Sequence, residues 1–127
     1  MGHSKYSFSK KERLSSKKKI DQLFEEGFSF RLNSFRVQSL LSKEKISYHS
    51  VLISVPKRNF KRAVDRNLIK RRIREAYRLN RYLLDSIPPL YICFIYISKN
   101  MLTFHEIQDQ LIQCLNRLNT INTDRYA

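Results

Sequence analysis

The sequence predicts one α+β domain, an α-β-β-β-α-β-α sandwich with helices on a small central sheet. Three observations predict it. Two stretches, 33–41 and 46–55, alternate apolar and polar residues at the period of two of a half-buried strand. Two others, 57–81 and 103–118, repeat apolar residues at helical spacing. Between these helices Leu90 to Ser98, LYICFIYIS, is almost wholly apolar, as in a strand covered on both faces. A chain of 127 residues suits one hydrophobic core. No repeat or linker divides it. Residues 1–15 read as a basic tail, 16–118 as the domain and 119–127 as a disordered end.

In chain order, the tail interleaves Phe8, Lys10, Lys11, Arg13 and Leu14. It reads either as a frayed terminus or as a segment lying on RNA, with Phe8 and Leu14 as anchors. Ser16 to Glu26 reads as a short helix, with Ser15 or Ser16 as N-cap and Gly27 as its stop. Ile20, Leu23 and Phe24 share one face of it, which reads as core. A short strand over Phe28–Arg31 is left open by the pattern. From Asn33 to Leu41, Phe35, Val37, Ser39 and Leu41 point one way and Arg36, Gln38 and Leu40 the other. Ser42 to Lys45 reads as a hairpin loop and Ile46 to Val55 as a second long strand. Pro56 ends that strand, and Asn59 is a candidate cap for the next helix. Pro88-Pro89 make a rigid break. Thr103-Phe104-His105-Glu106 is a capping box with Leu102 and Ile107 as its staple, and the last helix carries an apolar stripe of Phe104, Ile107, Leu111, Cys114 or Leu115, and Leu118.

Charge points to function. Lys and Arg number 25 against 11 Asp and Glu, a net charge of +14, which calls for a polyanionic partner. Lys57 to Arg81 concentrates it, with eleven basic residues against Asp65 and Glu75. Val64, Leu68, Ile69, Ile73, Ala76, Tyr77, Leu79 and Leu83 fall on one broad helical arc. Arg66, Asn67, Lys70, Arg71, Arg74, Arg78 and Arg81 fall on the opposite one. A solvated helix usually mixes signs at i,i+4 and gains from the pairs. Here the neighbours repel, which fits a face that an anion neutralises. Arg outnumbers Lys, and Arg makes forked contacts to phosphate and stacks on bases.

The run Arg66-Asn67-Leu68-Ile69-Lys70-Arg71-Arg72-Ile73-Arg74-Glu75 resembles the RNR motif of bacterial ribonuclease P protein subunits. The approach Ser54-Val55-Pro56-Lys57-Arg58 is similar to the strand end before that motif. The resemblance spans roughly 8–119 and is densest over 54–80. Two departures stand out. Phe60-Lys61-Arg62 replaces the Gly-Asn pair common in the family's connecting loop, and Arg72 occupies a position that is often apolar. The resemblance implies an unusual left-handed βαβ crossover around the basic helix, against the usual right-handed rule. It implies a protein subunit of ribonuclease P, an endoribonuclease that removes the 5′ leader of precursor tRNA, with the catalytic centre in the RNA subunit. Lys57, Arg58, Arg62, Arg66, Asn67, Lys70, Arg71, Arg74 and Arg78 would lie on the catalytic RNA. Ile20, Phe24, Arg36 and Gln38 would line a cleft for the leader. Family members often carry apolar or aromatic residues where Arg36 and Gln38 stand, which makes leader contact here more electrostatic. Mg2+ is the implied cofactor, held mainly by RNA and substrate phosphates, since hard oxygen ligands suit it. The partners the resemblance implies are the RNA subunit, in a 1:1 complex with a monomer, and precursor tRNA, not DNA or a membrane.

Other classes find little support. No Ser, Cys or Lys pairs visibly with a His, and acidic residues are scattered. Gly2 and Gly27 are the only glycines, too few for a Gly-rich phosphate loop. Cys93 and Cys114 lie in apolar stretches and read as core thiols of a reducing compartment, the cytoplasm. No apolar run reaches the ~20 residues of a membrane span, and the polar N-terminus lacks the apolar segment of a secretory signal. The alternatives are an rRNA-binding ribosomal protein without a processing role and a DNA-binding protein with the basic helix in a major groove. A cleavage assay with the RNA subunit separates the first. Competition between duplex DNA and structured RNA separates the second.

Overall fold

The structure is a computed structural model that describes residues 10–126, with side chains to residue 123. The expected tail 1–15 is therefore seen only from Lys10, and Phe8 lies outside the described residues. A short 3₁₀ turn at Lys10–Glu12 leads to Arg13, which makes a parallel bridge to Val51. Leu14 donates its N–H to the Val51 carbonyl at 2.8 Å, and its side chain is buried. Leu14 is thus the anchor its sequence context suggested.

Helix α1 is Lys17–Glu26, capped by Ser16, whose hydroxyl accepts the Lys19 N–H at 3.4 Å. Gly27 ends the helix, but not in the left-handed conformation expected of a glycine stop. Its φ is −75°, ordinary extended backbone. Its requirement is space. A Cβ there would stand 2.1 Å from the Leu23 carbonyl oxygen and 2.9 Å from that of Ser39. The end of the helix is pressed against the sheet with no room for a methyl group.

Strand β1, Phe28–Leu32, resolves the question the pattern left open. It forms a hairpin with β2, Phe35–Leu41, through Asn33-Ser34. Asn33 has φ +57°, the left-handed turn conformation that Asn tolerates. The expected hairpin at Ser42–Lys45 is absent, and the second strand is shorter than expected. Strand β3 covers only Ser50–Ser54 and does not touch β2. Strand β4, Leu90–Tyr96, lies between them, antiparallel to β2 and parallel to β3, in the order β1-β2-β4-β3. Its unbroken apolar run needs cover on both faces, which only a central strand receives. Residues 42–49 form a connecting loop instead. The His49 ring holds it in place: Nδ1 accepts the Leu90 N–H at 3.0 Å and Nε2 donates to the Leu84 carbonyl at 2.9 Å.

Parallel neighbours need a crossover, and the basic helix α2, Ala63–Asn80, supplies it between β3 and β4. It starts later than 57 because Lys57–Asn59 form a turn after Pro56. Arg62, not Asn59, stands at the cap position without a capping side chain. Ile69, Ile73, Ala76 and Tyr77 are its buried face. Val64 and Leu79 were expected there but are 64% and 38% exposed, while Asn80 is buried and donates to the Ala76 carbonyl and to Gln108. Helix α3 is Phe104–Tyr126, capped by Thr103, whose hydroxyl accepts the Glu106 N–H at 3.2 Å. The expected disordered end at 119–127 is corrected up to Tyr126, with Ala127 outside the described residues. Asn119 donates to the Leu83 carbonyl at 2.8 Å, and buried Asn122 donates to the Leu118 carbonyl at 2.8 Å. These amides satisfy their polar groups within the fold, so the polar composition of 119–123 does not release the chain.

Two cores result. Helices α2 and α3 pack Ile69, Ile73, Tyr77, Ile107 and Leu111 on one sheet face, against Phe35, Val37, Ile92 and Phe94. Helix α1 and Leu14 cover part of the other face, around Leu23, Tyr91 and Cys93.

Candidate nucleic-acid interface

Helix α2 is fixed to the sheet by its apolar face, so its cations point away from the core. Among the described residues Lys57, Arg58, Asn67, Lys70, Arg71 and Arg74 hold no side-chain hydrogen bond or ion pair. Their donors are open to an anion. The other three predicted contacts are engaged within the chain. Arg62 forms a forked pair with Asp65 at 3.0 and 3.1 Å. Arg78 forms one with Glu75, which holds that carboxylate below its ordinary range. Arg66 Nη1 donates to the Phe60 and Lys61 carbonyls at 2.7 and 2.8 Å, fastening the loop that enters the helix. Arg72, placed by sequence on the core arc, reaches out and donates to the Leu102 carbonyl at 2.6 Å. Arg81 pairs with the mostly buried Glu12 and ties the 10–14 segment to the end of α2.

The ridge is flanked by a groove of about 260 Å³ along the outer edge of β3, where Lys70 and Arg74 line it with Arg13 and Ser15. Sequence reasoning left Arg13 in the tail. The bridge to Val51 brings it there.

The second predicted surface lies on the other sheet face. Leu23 is fully buried, Ile20 is half-buried, and Phe24 is 47% exposed. The three therefore do not act as one face. Phe24 and the rim of Ile20 are available to a ligand. Gln38 departs from its expected role: it is only 7% exposed, and its Nε2 donates to the Leu23 carbonyl at 3.3 Å. It ties β2 to α1 because the helix lies directly over it. Arg36 is exposed and has a neighbour that sequence reasoning missed. Arg31 stands directly opposite it across the β1–β2 pair, on the same face. The row continues through Ile95 to Ser54, just before Pro56-Lys57-Arg58. The signal was present: a two-residue turn at Asn33-Ser34 fixes the register that pairs the arginines. Like charges directly opposite destabilise a sheet, and neither arginine has another partner among the described residues.

Both nitrogens of His49 are occupied, and burial pushes its pKa down, which keeps it neutral. Burial pushes the Cys93 and Cys114 thiols up to about 12, so they are inert core groups. Among the described residues no group of three or more His, Cys, Asp or Glu could hold a metal ion, and no helix is long and apolar enough to cross a membrane.

Comparison with known proteins gives a consistent picture. The family model Ribonuclease P matches residues 8–119. A ribonuclease P protein component from Porphyromonas gingivalis is 37% identical over 119 residues, covering 89% of this chain and 87% of the relative. One from Petrotoga mobilis is 34% identical, covering 88% and 95%. Among solved structures, the Staphylococcus aureus RNase P protein matches with a TM-score of 0.71 at 25% identity, covering 87% of this chain and 97% of that one. The Thermotoga maritima RNase P protein matches with a TM-score of 0.70 at 27% identity, covering 84% and 96%.

Proposed function

The chain belongs to the ribonuclease P protein family, and we propose that it is the protein subunit of a bacterial ribonuclease P, binding a catalytic RNA through α2 and the 5′ leader of precursor tRNA through the cleft between α1 and the sheet. The observation that carries this reading is the set of cations on α2, Lys70, Arg71 and Arg74, that hold no ion pair or side-chain hydrogen bond among the described residues. Lys70, Arg71 and Arg74 would take phosphates of the RNA, with Lys57 and Arg58 extending the contact. Phe24 would stack on a leader base, and Arg31 and Arg36 would hold leader phosphates. Because α2 and α1 lie on opposite sheet faces, both ligands could be held at once.

In this reading the protein binds, orients and neutralises, and moves no proton. Magnesium would supply its chemistry from sites made by RNA phosphates. The described residues offer no ligand cluster for it, and its hard oxygen preference suits phosphate. The protein's cations would lower the repulsion between leader and RNA, so less metal would be needed to screen it.

Reconstitution tests this. RNA-free protein should not cleave precursor tRNA at any magnesium concentration. The RNA subunit alone should cleave slowly at high magnesium, and added protein should lower the magnesium required. Specific cleavage by the protein alone, or an unchanged magnesium requirement, overturns the reading.

A further inference from the structure

Beside the basic ridge lies a second feature that phosphate binding does not use. Phe104, the first residue of α3, packs only partly on the core. The rest of its ring forms one wall of a notch of about 220 Å³, whose other walls are Arg71, Arg72 and Glu75 of α2. Three of these four residues are charged, yet the exposed lining is mostly carbon: the phenyl ring and the side-chain stems. The walls are also set in advance. Arg72 is held by the Leu102 carbonyl at 2.6 Å and Glu75 by Arg78 at 3.0 Å. The Phe104 ring meets His105 edge-on, with centroids 5.7 Å apart. An occupant would spend little free energy ordering them.

The notch is smaller than a pocket for a drug-sized ligand, so it suits a single flat ring system. Its surroundings select for negative charge, because Arg71 is exposed, holds no partner among the described residues and lies on the same ridge as Lys70 and Arg74. A nucleobase on a polynucleotide meets both demands. Its π-face fits Phe104 and its phosphate fits Arg71. Glu75 adds an acceptor that a base amino or imino group can use.

We propose that this notch takes one unstacked base of the RNA bound along α2, stacked on Phe104 with an adjoining phosphate on Arg71. The proposal rests on the reading of α2 as the RNA-subunit surface. It adds base recognition from α3 to a helix that otherwise binds only backbone.

The test uses the full chain with the RNA subunit. Phe104→Leu and Phe104→Met both fill the apolar seat but lack a π-face. Each should weaken RNA-subunit binding by about 5- to 100-fold, the loss of one base–aromatic stack, and leave the salt dependence unchanged. Phe104→Tyr should retain affinity. Chemical probing of unpaired bases should show one base protected by the wild-type protein and exposed again with Leu or Met. Variants that melt like the wild type, bind equally and leave the same footprint overturn the notch, as does a loss of affinity that only tracks a lower melting temperature with no base changing reactivity. If the wild-type protein itself fails to bind the RNA subunit, the reading of α2 falls instead.

Discussion

Helices α1 and α2 lie on opposite faces of one sheet and differ in what they present outward. Helix α2 buries Ile69, Ile73, Ala76 and Tyr77 and turns a row of cations outward. Helix α1 buries Leu23 and exposes the aromatic Phe24 beside it, on the sheet face that carries two opposed arginines. The difference is one of recognition. Cations alone read a phosphate backbone, with strong salt dependence and little sequence information. An aromatic ring with flanking arginines suits an unpaired strand whose bases are free to stack. In the proposed reading, α2 is the assembly surface and α1 with its sheet face is the substrate surface.

The largest effects should come from the residues that fix α1. Leu23→Ala empties a fully buried site and should cost ~2–5 kcal/mol of stability. Gly27→Ala forces a methyl group into the Leu23 and Ser39 carbonyls and should cost ~1–3 kcal/mol. Phe24→Ala, next to Leu23 in sequence, should stay within ~0.5 kcal/mol of wild-type stability. It should instead weaken binding of leader-bearing precursor by ~1–3 kcal/mol and spare mature tRNA. Denaturant unfolding and paired binding measurements decide this. A Phe24→Ala protein with normal stability and unchanged leader discrimination removes α1 from the substrate surface.

On α2 the comparison is between open and engaged arginines. Arg71→Ala and Arg74→Ala should each lower the slope of log affinity for the RNA subunit against log salt by roughly 0.7–0.9, one phosphate contact. Arg66→Ala should leave that slope nearly unchanged and lower the melting temperature, because its guanidinium fastens the Phe60 and Lys61 carbonyls. Equal slopes for all three variants would erase the distinction between open and engaged cations.

Much of this was legible from the chain. Helical spacing identified the buried centre of α2 at Ile69, Ile73, Ala76 and Tyr77, and the apolar run of β4 announced a covered strand. What failed was long-range. Nothing local says that β4 enters between β2 and β3, so a hairpin at 42–45 was the natural expectation. Nothing local says that Asn119 and Asn122 find carbonyl partners, so their polarity read as disorder. Phe24 and Gln38 were grouped as one cleft, but the crossing of α1 over β2 decides that Gln38 is covered and Phe24 is not. The register of β1 and β2 also supplied a residue, Arg31, that no motif singled out.

Arg31 and Arg36 give the smallest effect and the sharpest discrimination. Their backbones are paired directly, so in the free protein the two cations repel on one face. Arg31→Ala should therefore leave stability unchanged or raise it by about 0.2–0.5 kcal/mol, the opposite sign to most substitutions. Its leader affinity should fall, and the fall should shrink at high salt, because the lost contact is ionic. Arg36→Ala should match it in both respects. The double variant then reports the geometry of the contact. If one leader phosphate bridges the pair, either loss forfeits most of the contact and the double variant is little worse than each single one. If each arginine takes its own phosphate, the two losses add. Leader affinity that is unchanged at low salt in both single variants removes the sheet face from the substrate surface and leaves α1 to account for leader binding alone.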